Sequence, residues 1–364
     1  MGDFKKMPYI LIVTSKDEKG IVSNEIKSYF DNTKTHYVVV MDENNYGKKV
    51  KWLGGLNKIV NKLPSIKDLH KKCNFDKKKK AKGYSRRISN AIKRFNPIAV
   101  VCPSTYGLLL TVASAIDNEF DTPIISICGD FTLDKYIVTS KVDKYIVENE
   151  QLKAELLTKG VPSGDVYPLG IPLKIERLDA ESKTALKDKL GLKDVPTVFV
   201  YMNEGKENLE ALDMLFDQGD IINIIAYVDN KKLQNKIRKR IEAKSCDNVQ
   251  VFDKLALYND YLSVSDILIT NYDAMTVGKA FMASKAVIAF APKDGVQKSD
   301  VEYLSENKLI AYAKTTQDVI VKLYDLLQTD LNVELVTNIR NRIREGQLED
   351  VCKFIASGGV ENDG

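Results

Sequence analysis

The chain has 364 residues, enough for two domains of ordinary size, each with its own core. Hydrophobic residues make up 44% and charged residues 29%, a globular profile that excludes a disordered chain. No apolar run approaches the ~20 residues of a membrane-spanning helix, and the run Tyr9–Val13 is too brief for a secretion signal.

The first half alternates strand and helix patterns. Near-continuous apolar runs, as strands buried on both faces require, occur at Tyr9–Val13, Tyr37–Met41, Ala99–Cys102, Ile124–Cys128 and Tyr145–Val147. Helix-period segments fall between them at Val22–Phe30, Tyr84–Phe95, Tyr106–Ile116 and Gln151–Lys159. Pro97 stops the second of these and Gly160 the last. Residues 171–195 change character: they are rich in charge, contain a helix pattern at Glu181–Leu190 and read as linker and lead-in. Alternation resumes with strands at Thr197–Tyr201, Ile221–Tyr227 and Val249–Phe252 and helices at Asn208–Phe216, Lys231–Ala243 and Leu257–Ser263. The unit Asp266–Phe290 follows: an apolar run, a polar corner Thr270-Asn271-Tyr272-Asp273, a helix pattern and a second apolar run. Helix Gln297–Glu306, strand Leu309–Tyr312, helix Thr316–Leu327 and one helical stretch Val333–Ile355 complete the order.

The expected fold class is α/β, two Rossmann-like doubly wound domains facing across a cleft. The boundaries are residues 1–170 for the first domain, 171–195 for the lead-in and 196–330 for the second domain. C-terminal helices occupy 331–357, and a Gly-rich tail at 358–364 reads as disordered. In open α/β sheets ligands bind outside the carboxyl ends of strands, where helix N–H groups converge, so the corner 270–273 is the first place to look for an anionic small molecule. An ordinary helix cap, with Asp273 as the N-cap, is the bland alternative there.

The net charge of +4 conceals an asymmetry. Residues 58–94 hold fourteen Lys or Arg against two Asp, a local balance of +12, so the remainder carries −8. The dense part includes Lys77, Lys78, Lys79, Lys80, Lys82, Arg86 and Arg87, interleaved with Phe75, Tyr84 and Ile88. A basic loop with apolar teeth suits an anionic membrane surface, where each cation contributes about 1 kcal/mol. A merely solvated loop is the other reading; no nucleic-acid module surrounds the patch, so no nucleic acid is expected. The five cysteines are scattered, with no C-x-x-C pair, and there are two histidines, so neither a metal site nor a disulfide framework is expected, and buried thiols in a reducing compartment are.

The segments Asp143–Glu150, Leu157–Val161, Tyr167–Pro172, Gly129-Asp130-Phe131, Ser265–Thr270, Thr276 and Val301–Leu304 resemble, in order and spacing, the GT-B glycosyltransferases. The resemblance is to the branch of monogalactosyl- and processive glucosyl-diacylglycerol synthases and the lipid II N-acetylglucosaminyltransferase, and residues 42–83 match least. It implies hexosyl transfer from a nucleotide sugar, UDP-linked, to a lipid or lipid-linked acceptor in cell-envelope or glycolipid chemistry. It further implies a cytoplasmic protein peripheral to the inner membrane face, the first domain being the acceptor and membrane side. No cofactor is implied beyond the substrate. The implied donor-pocket positions are Asn203, Gly205, Lys206, Tyr272, Asp273, Thr276, Lys279 and Gln297; Asp130 or Glu18 would be the acceptor-side base.

Departures from the branch cluster in that pocket. Tyr272-Asp273-Ala274 stands where the branch has Pro-Gly-Gly, Lys279 where it has the glutamate for the donor ribose, and Gly295-Val296-Gln297 where it has Gly-Gln-Glu. The glycine-rich loop opening the second domain keeps only Gly205, and Ile21 replaces the histidine of the first loop. The alternative function is therefore a catalytically inactive pseudoenzyme acting as a binding or scaffold protein with a protein partner. Nucleotide-sugar epimerisation on the same fold would need an acid/base carboxylate cluster that is not recognisable.

Overall fold

The computed structural model describes residues 7–14, 20–41 and 79–360, except 135, 140, 175–177, 202–205, 219–220, 229–230, 253–257 and 293–294; for 79–84 and 206–208 it describes the backbone alone. Two compact units emerge, Met1–Leu173 with Glu345–Gly364, and Lys174–Arg344.

The first unit runs β1 (Tyr9–Val13), α1 (Gly20–Thr33), β2 (Tyr37–Met41), α2 (Lys79–Phe95), β3 (Ala99–Cys102), α3 (Thr105–Asn118), β4 (Ile124–Ile127), β5 (Lys144–Ile146), α4 (Glu150–Thr158) and β6 (Val166–Tyr167). Its sheet is parallel in the order β2-β1-β3-β4-β5-β6. The apolar runs are continuous because helices cover both faces; every residue of β3 and β4 is buried. At this burial each Ile, Val or Leu contributes about 1.5–3 kcal/mol. The order of strands reverses beside β1, where α3 crowds the strand: a Cβ on Gly107 would lie 2.1 Å from the Val13 carbonyl oxygen, so glycine is required. Ser104 caps α3, its hydroxyl accepting from Gly107 N at 3.1 Å.

The second unit continues with α5 (Ala180–Lys189), β7 (Thr197–Tyr201), α6 (Lys206–Phe216), β8 (Asn223–Tyr227), α7 (Lys231–Lys244), β9 (Val249–Phe252), α8 (Tyr258–Val264), β10 (Ile267–Asn271), α9 (Ala274–Met282), β11 (Ala286–Phe290), α10 (Gly295–Glu306), β12 (Ala311–Ala313), α11 (Thr316–Gln328) and α12 (Leu331–Arg342). All its strands are parallel, in the order β12-β11-β10-β7-β8-β9. The chain builds outward from β7 to β9, then restarts on the other side at β10, so the topological switch lies between β7 and β10. The architecture is thus two Rossmann-like α/β domains.

Two carboxylates fasten corresponding places in the two sheets. Asp143, just before β5, accepts the Ile124 N–H at 2.8 Å, and Asp266, just before β10, accepts the Thr197 N–H at 2.8 Å. Each pins the first residue of the neighbouring strand.

Several expectations are corrected. The helical stretch Val333–Ile355 is two helices: α12 ends at Arg342, Gly346 turns with φ of +81°, and the last helix, α13 (Gln347–Ala356), belongs to the first unit. The tail does not begin as a disordered segment at 358, since Gly358 and Gly359 donate to Ile355 O and Phe354 O at 3.0 Å; residues 361–364 lie outside the described residues. Part of the basic loop is helical, as α2 begins at Lys79 and so takes in Lys79, Lys80, Lys82, Arg86 and Arg87. On α2, Ser85, Ile88, Ser89, Ala91 and Ile92 are buried, whereas Arg86 is exposed and Arg87 half-buried. Lys77 and Lys78 lie outside the described residues. The strand expected at Leu309–Tyr312 is Ala311–Ala313, that expected from Ile221 starts at Asn223, and the edge strand β6 was not anticipated. Among the described residues no helix is long and apolar enough to cross a membrane.

Candidate functional site

The switch point puts the carboxyl ends of β7 and β10 side by side, with Tyr201 opposite Thr270 in register. Beyond β10 the chain turns through Tyr272 into α9, whose residues Ala274–Phe281 are all buried. A helix buried on all its faces is a core helix; this one carries Thr276 and Lys279 inside with its apolar residues, and its burial fixes the corner rigidly.

Asp273 sits at the helix entrance with extended backbone, φ −146° and ψ 122°, and its Oδ1 accepts from Thr276 N at 2.8 Å. The cap reading of this position is therefore the one the structure displays. Tyr272 is 2% exposed, and its hydroxyl donates to Asp300 Oδ2 at 2.8 Å. Asp300 lies one turn after Gln297 on α10, on the same helix face, so this bond ties the corner to the helix that carries Gln297.

Lys279 is 8% exposed, and its ammonium stands 5.6 Å above the Tyr258 ring. Tyr258 meets Tyr201 edge-on at 5.5 Å, and Tyr201 stacks on Tyr227 at 5.2 Å with 6° between planes. Burial pushes the Tyr258 phenol well above its usual range, with Tyr201 and Asp273 adding to the effect. Sequence reasoning missed this aromatic cluster. Its only signal was a tyrosine closing each of two adjacent strands, since Tyr201 and Tyr227 are register partners.

Asn271, 5% exposed at the end of β10, keeps a buried Oδ1 with no hydrogen-bond partner among the described residues. Buried acceptors are ordinarily satisfied, so an orphan at a strand's carboxyl end is a place for a donor from a ligand.

Tyr272, Asp273, Thr276 and Lys279 thus share one corner, with Gln297 on the adjoining helix. Asn203 and Gly205 lie outside the described residues, and Lys206 opens α6. In the first unit Asp130 is half-buried after β4, lining a crevice of about 10 Å³ with Ser104, Thr105 and Asp134. Glu18 lies outside the described residues.

Against this geometry, the family model of monogalactosyldiacylglycerol (MGDG) synthase matches residues 16–173, nearly all of the first unit's leading segment. The processive diacylglycerol beta-glucosyltransferase of Staphylococcus haemolyticus is 24% identical over 234 residues, which cover 62% of this chain and 59% of that relative. The chain has the GT-B fold, and its first domain is similar to the diacylglycerol glycosyltransferase branch. This GT-B protein spans about three fifths of the length of that relative. MurG of Acinetobacter baumannii superposes on it with a TM-score of 0.62 at 12% identity, covering 96% of this chain and 99% of MurG. The UDP-GlcNAc 2-epimerase of Neisseria meningitidis, solved bound to UDP-GlcNAc, gives 0.63 at 13% identity, covering 96% and 100%. At such identities the superpositions speak to the fold of the GT-B protein alone.

Proposed function

We propose that this GT-B protein transfers a hexose from a UDP-linked donor to a lipid or lipid-linked acceptor at the inner face of a membrane, through a remodelled donor pocket. The observation that carries the reading is the unsatisfied Asn271 acceptor at the β7/β10 switch point, the place where this fold receives ligands. The donor would lie along the corner 271–276 and the first turn of α10. Helix N–H groups there would stabilise charge on the departing nucleotide. Asp130 or Glu18 would take the proton from the acceptor hydroxyl, and the basic segment 58–94 would hold the protein at an anionic lipid surface. The similarity of the first domain to MGDG synthase supports a lipid acceptor.

A second reading is favoured by one observation. The Asp273 carboxylate already accepts a first-turn N–H of α9, that of Thr276, so the protein's own anion stands where a diphosphate would be held. On this reading the chain binds without transferring, as a scaffold at the membrane with a protein partner. Calorimetric titration with UDP and UDP-hexoses separates the two. Saturable UDP binding with sugar release in the presence of lipid supports transfer, whereas silence across all nucleotides removes it.

A further inference from the structure

The second unit also carries a cavity at the opposite edge of its sheet. It has a volume of about 390 Å³ and is lined by Lys183, Asp266, Ser284, Lys285, Asn332 and Arg340, among others. Asp266 precedes β10 and Lys285 precedes β11, so this is the amino-terminal edge. The strands between it and the switch point are five residues long, which separates the two places by roughly 15 Å. The volume is within the usual range for small-ligand pockets.

Its charge is unbalanced. Lys183, Lys285 and Arg340 line the cavity beside the carboxylate of Asp266, which Lys187 also approaches. Both oxygens of that carboxylate are engaged, Oδ1 by Lys183 at 2.5 Å and Oδ2 by the Thr197 N–H at 2.8 Å. Lys187 reaches Oδ2 only at 3.9 Å. The Lys285 ammonium donates to two carbonyl oxygens, of Ser263 and Ser265, each at 2.7 Å, which leaves one N–H with no acceptor among the described residues. Arg340 has no ion-pair or hydrogen-bond partner among the described residues. The Ser284 hydroxyl is buried and likewise unpartnered, on a residue held at φ +54°. Unused donors from three elements around one cavity, with an excess of positive charge, call for an acceptor carrying several oxygens and negative charge.

We propose that this cavity is a binding site for a small soluble phosphate-bearing ligand, separate from the switch-point site. Its oxygens take the free N–H groups of Lys183 and Lys285, the Ser284 hydroxyl and the Arg340 guanidinium. Burial pushes the Lys285 amine down to about 8, with Lys183 and Lys187 adding to the effect and Asp266 opposing it, as a cation crowded by cations requires. A bound anion relieves that crowding.

The test is calorimetric titration of the full chain with pyrophosphate and with inorganic phosphate in chloride buffer. Native protein is expected to bind one pyrophosphate. Arg340→Glu, on an exposed position of α12, should weaken binding at least tenfold with its melting temperature kept. Ser284→Gly, which suits the positive φ, should weaken it severalfold. Charge reversal at Lys79 and Lys80 should leave it unchanged. Absence of pyrophosphate binding by native protein overturns the proposal, as does binding that survives Arg340→Glu undiminished or disappears on reversal of Lys79 and Lys80.

Discussion

The Tyr272 hydroxyl donates to Asp300 Oδ2 at 2.8 Å with both side chains sealed from solvent, 2% and 1% exposed. The bond joins the corner after β10 to α10, so the two sides of the candidate donor pocket share one buried strut. Tyr272→Phe keeps the ring and deletes the donor. Unfolding in urea is expected to show a loss of about 1–3 kcal/mol, the cost of leaving a buried acceptor short of a partner, with the slope unchanged.

Asp273→Asn separates capping from charge. Asparagine caps a helix as well as aspartate does, so stability should stay within a few tenths of a kcal/mol. If the carboxylate repels a diphosphate, UDP affinity should rise about tenfold by calorimetry, equivalent to about 1.4 kcal/mol. An unchanged affinity would show that the charge of Asp273 does not govern nucleotide binding.

Much of this arrangement could be read from the residues. The strands were visible because helices cover both faces of each sheet, leaving unbroken apolar runs such as Ala286–Phe290. Asp273 was legible as a cap because its chemistry is local. Asp143 and Asp266 stood out in the resemblance, and their reason is architectural, a carboxylate on the first N–H of the next strand. What stayed hidden depends on distant contacts. Nothing near Lys279 in the chain announces Tyr258, and nothing near Lys285 announces Arg340. Edge strand β6 has only two residues, too few for a period. The break at Ile343–Gly346 lies in residues of ordinary helical character apart from Gly346, and it is imposed by the return of α13 to the first unit.

Lys285 makes stability depend on pH. Its amine titrates at about 8 when folded and at 10.5 when free, because burial, then Lys183 and Lys187, disfavour its charge. Between those values the unfolded chain binds more protons, so this group contributes a stability that grows as pH rises. Below pH 8 the full cost of the buried charge is present. Burial holds the Cys102 thiol up at about 12, which works in the opposite sense above pH 9, so a difference measurement is needed. The unfolding free energy of native protein minus that of Lys285→Met should rise by about 1 kcal/mol from pH 8 to pH 9; a flat difference would refute the shifted amine.

Gly170 turns at φ +89°, and a Cβ there would stand 2.4 Å from Cδ of Gln347. Gly170→Ala combines backbone strain with a clash against a side chain that is 6% exposed. A loss of about 2 kcal/mol or more in urea unfolding is expected, larger than for Gly164→Ala, where a Cβ meets nothing.

For the membrane role, replacing Lys77–Lys80 with glutamate reverses the densest charge of the chain. Sedimentation with anionic liposomes should be abolished while that with neutral liposomes is unaffected. Unchanged sedimentation would remove the basic segment from the mechanism.

Helix α13 packs beside α1 and Gly170 although more than a hundred and fifty residues of the second unit intervene. During synthesis the leading domain therefore leaves the ribosome without its closing helix. It must wait, with the surface that receives Val351, Phe354 and Ile355 uncovered, until the whole of the second unit has been made. Shortening the chain by its last eighteen residues would thus injure the domain at its beginning, and a fragment ending at Leu173 would lack part of its own core.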